Sequence, residues 1–200
     1  MALIAAAASW GVATVISKQA VSEIPPSALL PIQLATSLVL LGILMRAIGQ
    51  RRSWTPETTR LALLGFLNPG LSYALGLIGL THITASLSVV LWATEPVMIL
   101  VLAAWVLRES ITAPIAVAAS VATIGVLLAA VESDTTGNFL GIAFTLAGVA
   151  ACAMYTVITR KWMSDDSTLT VIAAQQVCAF IFALIVLAIS LMTGELVAIA

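Results

Sequence analysis

Glu95 is the residue whose type and placement carry the most chemistry in this chain. It stands in the run TASLSVVLWATEPVMILVLAAWVL, Thr84 to Leu107, with no other charge on either side. A run of about 24 residues at ~1.5 Å rise can cross a bilayer, and Glu95 falls near its middle. An ionised carboxylate at that depth costs about 2.5–3.5 kcal/mol on insertion scales. Two roles would justify that cost: binding a cationic group of a solute, or carrying a proton. The structural alternative is a protonated acid hydrogen-bonded to a neighbouring helix, since burial disfavours the charged form. Pro96 follows directly. It has no N–H, so the carbonyl of Trp92 loses its helical donor and the turn is loosened.

Other polar side chains fall at helical spacing. Thr84, Ser88, Trp92 and Glu95 share one face, as do Trp10, Thr14 and Ser17. Cys152, Thr156 and Thr159 form a third stripe, with Tyr155 beside it. Gln33 with Thr36 and Ser37 marks another face, and Gln175 lies in the last apolar run. Asn68-Pro69-Gly70 should interrupt a helix, with Tyr73 one turn further on. The expected substrate pathway is therefore Glu95, Trp92, Ser88, Trp10, Thr14, Gln33, Tyr73, Asn68, Tyr155 and Gln175, with helix breaks at Pro96 and Pro69. Each side chain has a plainer reading beside this one: Ser and Thr bond their own helix backbone, and aromatics fill cores. Lys18 and Arg160, which end their helices, are expected to snorkel toward water.

The elements that must position these residues follow from composition. The chain is 62% hydrophobic and only 8% charged, with a mean hydropathy of +1.16. Soluble domains carry about 25% charged residues. An all-α integral membrane protein is expected, with the lipid bilayer as its first partner. No basic patch supports nucleic-acid binding. Cys152 and Cys178 lie in apolar runs and read as small buried residues. With a single His and no Cys pair, neither a metal site nor a cofactor is expected. The N-terminus lacks the positive region of a signal peptide and reads as a first spanning helix.

Seven transmembrane helices are predicted, at Ala2–Val21, Ser27–Met45, Thr59–Thr81, Thr84–Leu107, Thr112–Val131, Phe139–Arg160 and Leu169–Met192. The connections after the second, fourth and sixth carry Arg46, Arg51, Arg52, Arg60, Arg108, Arg160 and Lys161, whereas the other side carries only Lys18. The positive-inside rule then places the N-terminus in the cytoplasm of a multi-pass protein of the inner (plasma) membrane.

Ser9 to Ser22 aligns without gaps on Ala151 to Ser164 at an offset of 142 residues. Thr14, Val15, Ile16 and Ser22 match identically, Lys18 meets Arg160, and the same offset pairs Gln33 with Gln175. A unit of five spans, an odd number, inverts its second copy in the membrane, which is the architecture of alternating access. The expected modules are residues 1–132 and, with only two helices of a second inverted copy, residues 138–200. Three of the ten helices of a complete pair would then be missing at the C-terminal end.

The order Trp10-Gly11, Lys18, Ala85-Ser86, Glu95-Pro96-Val97, Leu107, Glu109 and Gly125-Val126 resembles the EamA-type modules of the drug/metabolite transporter superfamily. The resemblance covers the first five helices well and the next two more loosely. It implies ten helices in two inverted modules and export of small metabolites such as amino acids. Arg108 stands where that family often has glycine. The expected function is thus export of small metabolites, most simply amino acids or related zwitterions, with the solute and protons as partners. A non-transporting scaffold, an assembly subunit, a truncated inactive transporter, or a homodimer that borrows helices are the alternatives. A retinal protein would need a lysine in its last helix, and Leu169 to Met192 has none. An enzyme is not expected, because Glu95 has no second intramembrane acid and His82 lies at a helix junction.

Overall fold

Each apolar run folds as helix, with ends within three residues of those expected. The computed structural model describes residues 2–49, 55–108, 112–132, 138–162 and 168–194, of which 2–3 and 126–132 as backbone only. The charged positions Arg51, Arg52, Glu109, Asp165 and Asp166, the repeat residue Ser164 and the last residue, Ala200, lie outside the described residues. The elements are α1 (Ala2–Ala20), α2 (Pro26–Ala47), α3 (Pro56–Leu63), α4 (Ser72–His82), α5 (Ala85–Trp92), α6 (Glu95–Val106), α7 (Ala113–Glu132), α8 (Phe139–Trp162) and α9 (Thr168–Thr193). Among the described residues, five spans are long and apolar enough to cross a membrane: Pro26–Ala47, Pro56–His82, Ala85–Val106, Phe139–Trp162 and Thr168–Thr193.

Two of those spans are broken, both at a proline. The third passes from α3 through a tight 3₁₀ turn (Leu64–Phe66) and a wide π turn (Leu67–Leu71) into α4. Asn68 there is extended, φ −145° and ψ 125°. That is the region into which a following proline pushes its neighbour. The span starts cleanly: Thr55 accepts from the Thr58 backbone N–H at 3.1 Å, Thr58 reciprocates, and Pro56 fills the first turn.

The fourth span, expected from Thr84 to Leu107 with a break at Pro96, is interrupted just before that proline: one helix ends at Trp92 and the next starts at Glu95, with Ala93 and Thr94 between. The Thr94 hydroxyl donates to the Leu91 carbonyl at 2.6 Å, and Pro96 sits in the first turn of α6, where no N–H is needed. At the far end of α6, Arg108 has φ +54°. This left-handed conformation favours glycine, so the arginine stands at a helix stop built for one.

α4 is the hub: it touches α1, α2, α5 and α8. Its most extensive partner is α8, and the two backbones approach closely over small residues. The Ser72 hydroxyl donates to the Gly148 carbonyl at 2.9 Å. A Cβ on Gly148 would come within 2.8 Å of the Ser72 carbonyl oxygen, and one on Gly79 would collide with Thr145. In a bilayer, where apolar burial drives little, such close approach is the main source of helix association. α9 packs on α2, α3 and the broken segment. Leu29, Leu30 and Leu34 of α2, Leu77 of α4 and Ala179 and Ala183 of α9 form the apolar core there. α1 sits at the margin: it touches α5 and α4, and Ile4, Val12, Val15 and Ile16 are exposed.

Candidate functional site

α1, α2, α4 and α5 enclose an open groove of about 490 Å³. Six of the expected pathway residues line it: Trp10, Thr14, Gln33, Tyr73, Ser88 and Trp92. Trp10 and Trp92 meet edge to face, with centroids 5.8 Å apart and planes at 76°. That arrangement adds about 0.5–1.5 kcal/mol beyond area burial and ties α1 to α5. Gly76 makes room for it, since a Cβ there would lie 3.2 Å from the Trp92 ring. Gln33 donates through Nε2 to the Ser17 hydroxyl at 3.0 Å, joining α2 to α1. The Thr14 hydroxyl bonds back to the Trp10 carbonyl at 3.0 Å. The wall is therefore mostly apolar and aromatic, with a few hydroxyls and one amide.

Glu95 does not line this groove, and the expected common face of Thr84, Ser88, Trp92 and Glu95 is corrected accordingly. Thr84 is spent on capping α5, accepting from the Leu87 N–H at 3.2 Å. Ser88 and Trp92 share the groove wall, and the two turn residues Ala93 and Thr94 stand between them and Glu95. The half-buried Glu95 instead accepts a hydrogen bond from the Cys152 thiol of α8, Sγ to Oε1 3.2 Å. The acid is thus held against α8 rather than in the groove wall.

Tyr155 and Gln175 come together elsewhere. The Tyr155 hydroxyl donates to Gln175 Oε1 at 2.8 Å, and Gln175 Nε2 donates to the Leu61 carbonyl of α3 at 3.2 Å. Gln175 is 3% exposed and engages both ends of its amide. This bridge clamps α8, α9 and α3. Asn68 lies at the break, where its buried Oδ1 has no hydrogen-bond partner among the described residues. Pro69 and Pro96 mark the two breaks, as expected.

Three features were missed from the sequence. Cys152 read as a packing residue, yet its thiol holds the one acid of the fourth span; its place in the stripe with Thr156 and Thr159 was the available signal. Lys18 was expected to snorkel, but its Nζ donates to the Leu80 carbonyl at 2.7 Å, inside the fold. Leu80 is among the last residues of α4, whose carbonyls have no helical donor, so the contact is satisfied at both ends. The small residues of α4 and α8, Ser72, Gly76 and Gly79 with Gly141, Thr145 and Gly148, recur at four- and three-residue spacing, a pattern that marks a close helix crossing. Among the described residues no group of three or more His, Cys, Asp or Glu could hold a metal ion.

Residues 1–131 match the EamA-like transporter family. A curated relative, described as an uncharacterized transporter of Archaeoglobus fulgidus, is 25% identical over 161 residues. The match covers 80% of this chain and 57% of the relative, so the chain spans little more than half the length of that protein. No solved structure matches it.

Proposed function

We infer that this chain, which belongs to the EamA-like transporter family of the drug/metabolite transporter superfamily, moves small metabolites across the plasma membrane through the groove between α1, α2, α4 and α5. One observation carries the reading: six polar or aromatic residues, dispersed from position 10 to position 92, converge on one cavity walled by four helices. A volume of about 490 Å³ suits a solute of amino-acid size, given that pockets for small molecules run from about 300 to 1,000 Å³. The aromatic wall would take the side chain. Glu95 would take the ammonium, displacing the weak Cys152 donor. The inverted repeat read from the sequence supports alternating access, and the Lys/Arg bias supports a cytoplasmic N-terminus.

Counterflow of radiolabelled phenylalanine in proteoliposomes tests this. Trp92→Ala opens one wall of the groove and should cut the rate at least about tenfold, and Glu95→Gln should do so by removing the charge. Wild-type rates in both variants would remove this groove and this acid from the path. Crosslinking in native membranes checks the self-association alternative, for which a dimer band is the expected sign.

A further inference from the structure

The structure places a charged group beside the groove, bonded to one of its lining residues, that the transport reading does not use. Lys18 is half-buried on α1, and its Nζ lies 2.7 Å from the Leu80 carbonyl. Leu80 and Ser17, the residue before Lys18, both line the groove. An ammonium has three donors, and this contact uses one. Among the described residues Lys18 has no carboxylate partner. A half-buried cation with no counter-charge among the described residues, beside a cavity whose other polar groups are neutral hydroxyls and one amide, is an incomplete ion pair.

We propose that Lys18 is the anion-recognising residue of this groove, and that the groove accepts solutes with a carboxylate at the Lys18 end and an apolar or aromatic body against Trp10 and Trp92. The inference rests on the groove being the solute path. Geometry sharpens it. Eight residues of α1 separate Trp10 from Lys18, about 12 Å along the helix. A body lying against Trp10 with its carboxylate at Lys18 therefore suits a solute whose charge stands several bonds from its ring. Gln33, bonded to Ser17 at 3.0 Å, holds the adjoining wall in place.

Binding is measured apart from transport. Purified protein in a non-ionic detergent is titrated with 4-phenylbutyrate, following tryptophan fluorescence, to which Trp10 and Trp92 in the groove contribute as two of five tryptophans, and in parallel with 4-phenylbutylamine. Wild type should respond saturably to the carboxylate. Lys18→Gln keeps a donor for the Leu80 carbonyl but removes the charge. It should weaken 4-phenylbutyrate at least about tenfold, as expected for loss of one charge-assisted hydrogen bond, and leave the amine unchanged. Lys18→Arg should restore the carboxylate response. If these hold while phenylalanine counterflow is absent, the transport reading fails and the anion site stands. Equal binding by Lys18→Gln and wild type, no saturable response in wild type, or a Lys18-dependent response to dioleoylphosphatidylglycerol in place of 4-phenylbutyrate would each overturn the proposal.

Discussion

α1–α2 and α8–α9 are related by the same sequence offset, yet the fold uses them in opposite ways. α8 is sunk into the protein: Gly141, Thr145, Gly148, Val149, Cys152, Ala153 and Val157 are all buried, most of them against α4. On α1, no residue with a described side chain is fully buried. Ala6, the mate of Gly148, is exposed. The paired glutamines differ in the same sense. Gln175 is buried and bonded at both ends of its amide, whereas Gln33 is half-buried with one bond, to Ser17. What the pairs keep in common is local: Thr14 and Thr156 each bond back to the carbonyl four residues earlier, at 3.0 and 3.1 Å. A shared helical pattern thus fixes the intrahelical bonds but not the job of the helix. Where the stripe packs against α4 it becomes a scaffold, and where it borders the groove it becomes a wall.

The largest effect that would test this contrast is steric. Gly148→Leu forces a side chain against the Ser72 carbonyl and should cost about 3 kcal/mol or more, whereas Ala6→Leu should stay within about 0.5 kcal/mol. Unfolding of both variants in the same detergent measures the difference, and equal losses would break the comparison. Next comes the glutamine pair. Gln175→Ala removes the bonds to the Tyr155 hydroxyl and the Leu61 carbonyl, costing about 2 kcal/mol, against less than about 1 for Gln33→Ala, which frees only a half-buried serine. A larger loss at Gln33 would show that the groove wall is better packed than its exposure implies. The smallest effect is the one expected to be equal. Thr14→Val and Thr156→Val should each cost at most about 0.6 kcal/mol. A clear inequality would mean that one of these hydroxyls bonds to something other than its own helix.

Much of this was readable from residue types. The apolar runs set the spans because a bilayer-length segment must satisfy its backbone internally, and helix is the local way to do so. Pro69 and Pro96 announced both breaks, since neither can donate to the preceding turn. Six groove residues were found because side chains three and four apart share a face. The same rule failed at Glu95. It assumes an unbroken helix, whereas two turn residues stand between Trp92 and Glu95, and the acid meets α8 rather than the groove. It was silent on Lys18 and Cys152 for another reason: their partners, Leu80 and Glu95, lie 62 and 57 residues away. No local periodicity encodes such a distance.

The sequence by itself determined an all-helical membrane protein, the places where its helices break, and which polar stripes were available. Those are decisions of composition and of neighbours within a turn or two. Only the tertiary structure decided which stripe became a wall and which a seam, that the acid is held by a thiol, and that a terminal lysine turns inward. Each depends on which helix faces which. That choice is made by small residues letting two backbones approach, a property of pairs of helices rather than of either alone.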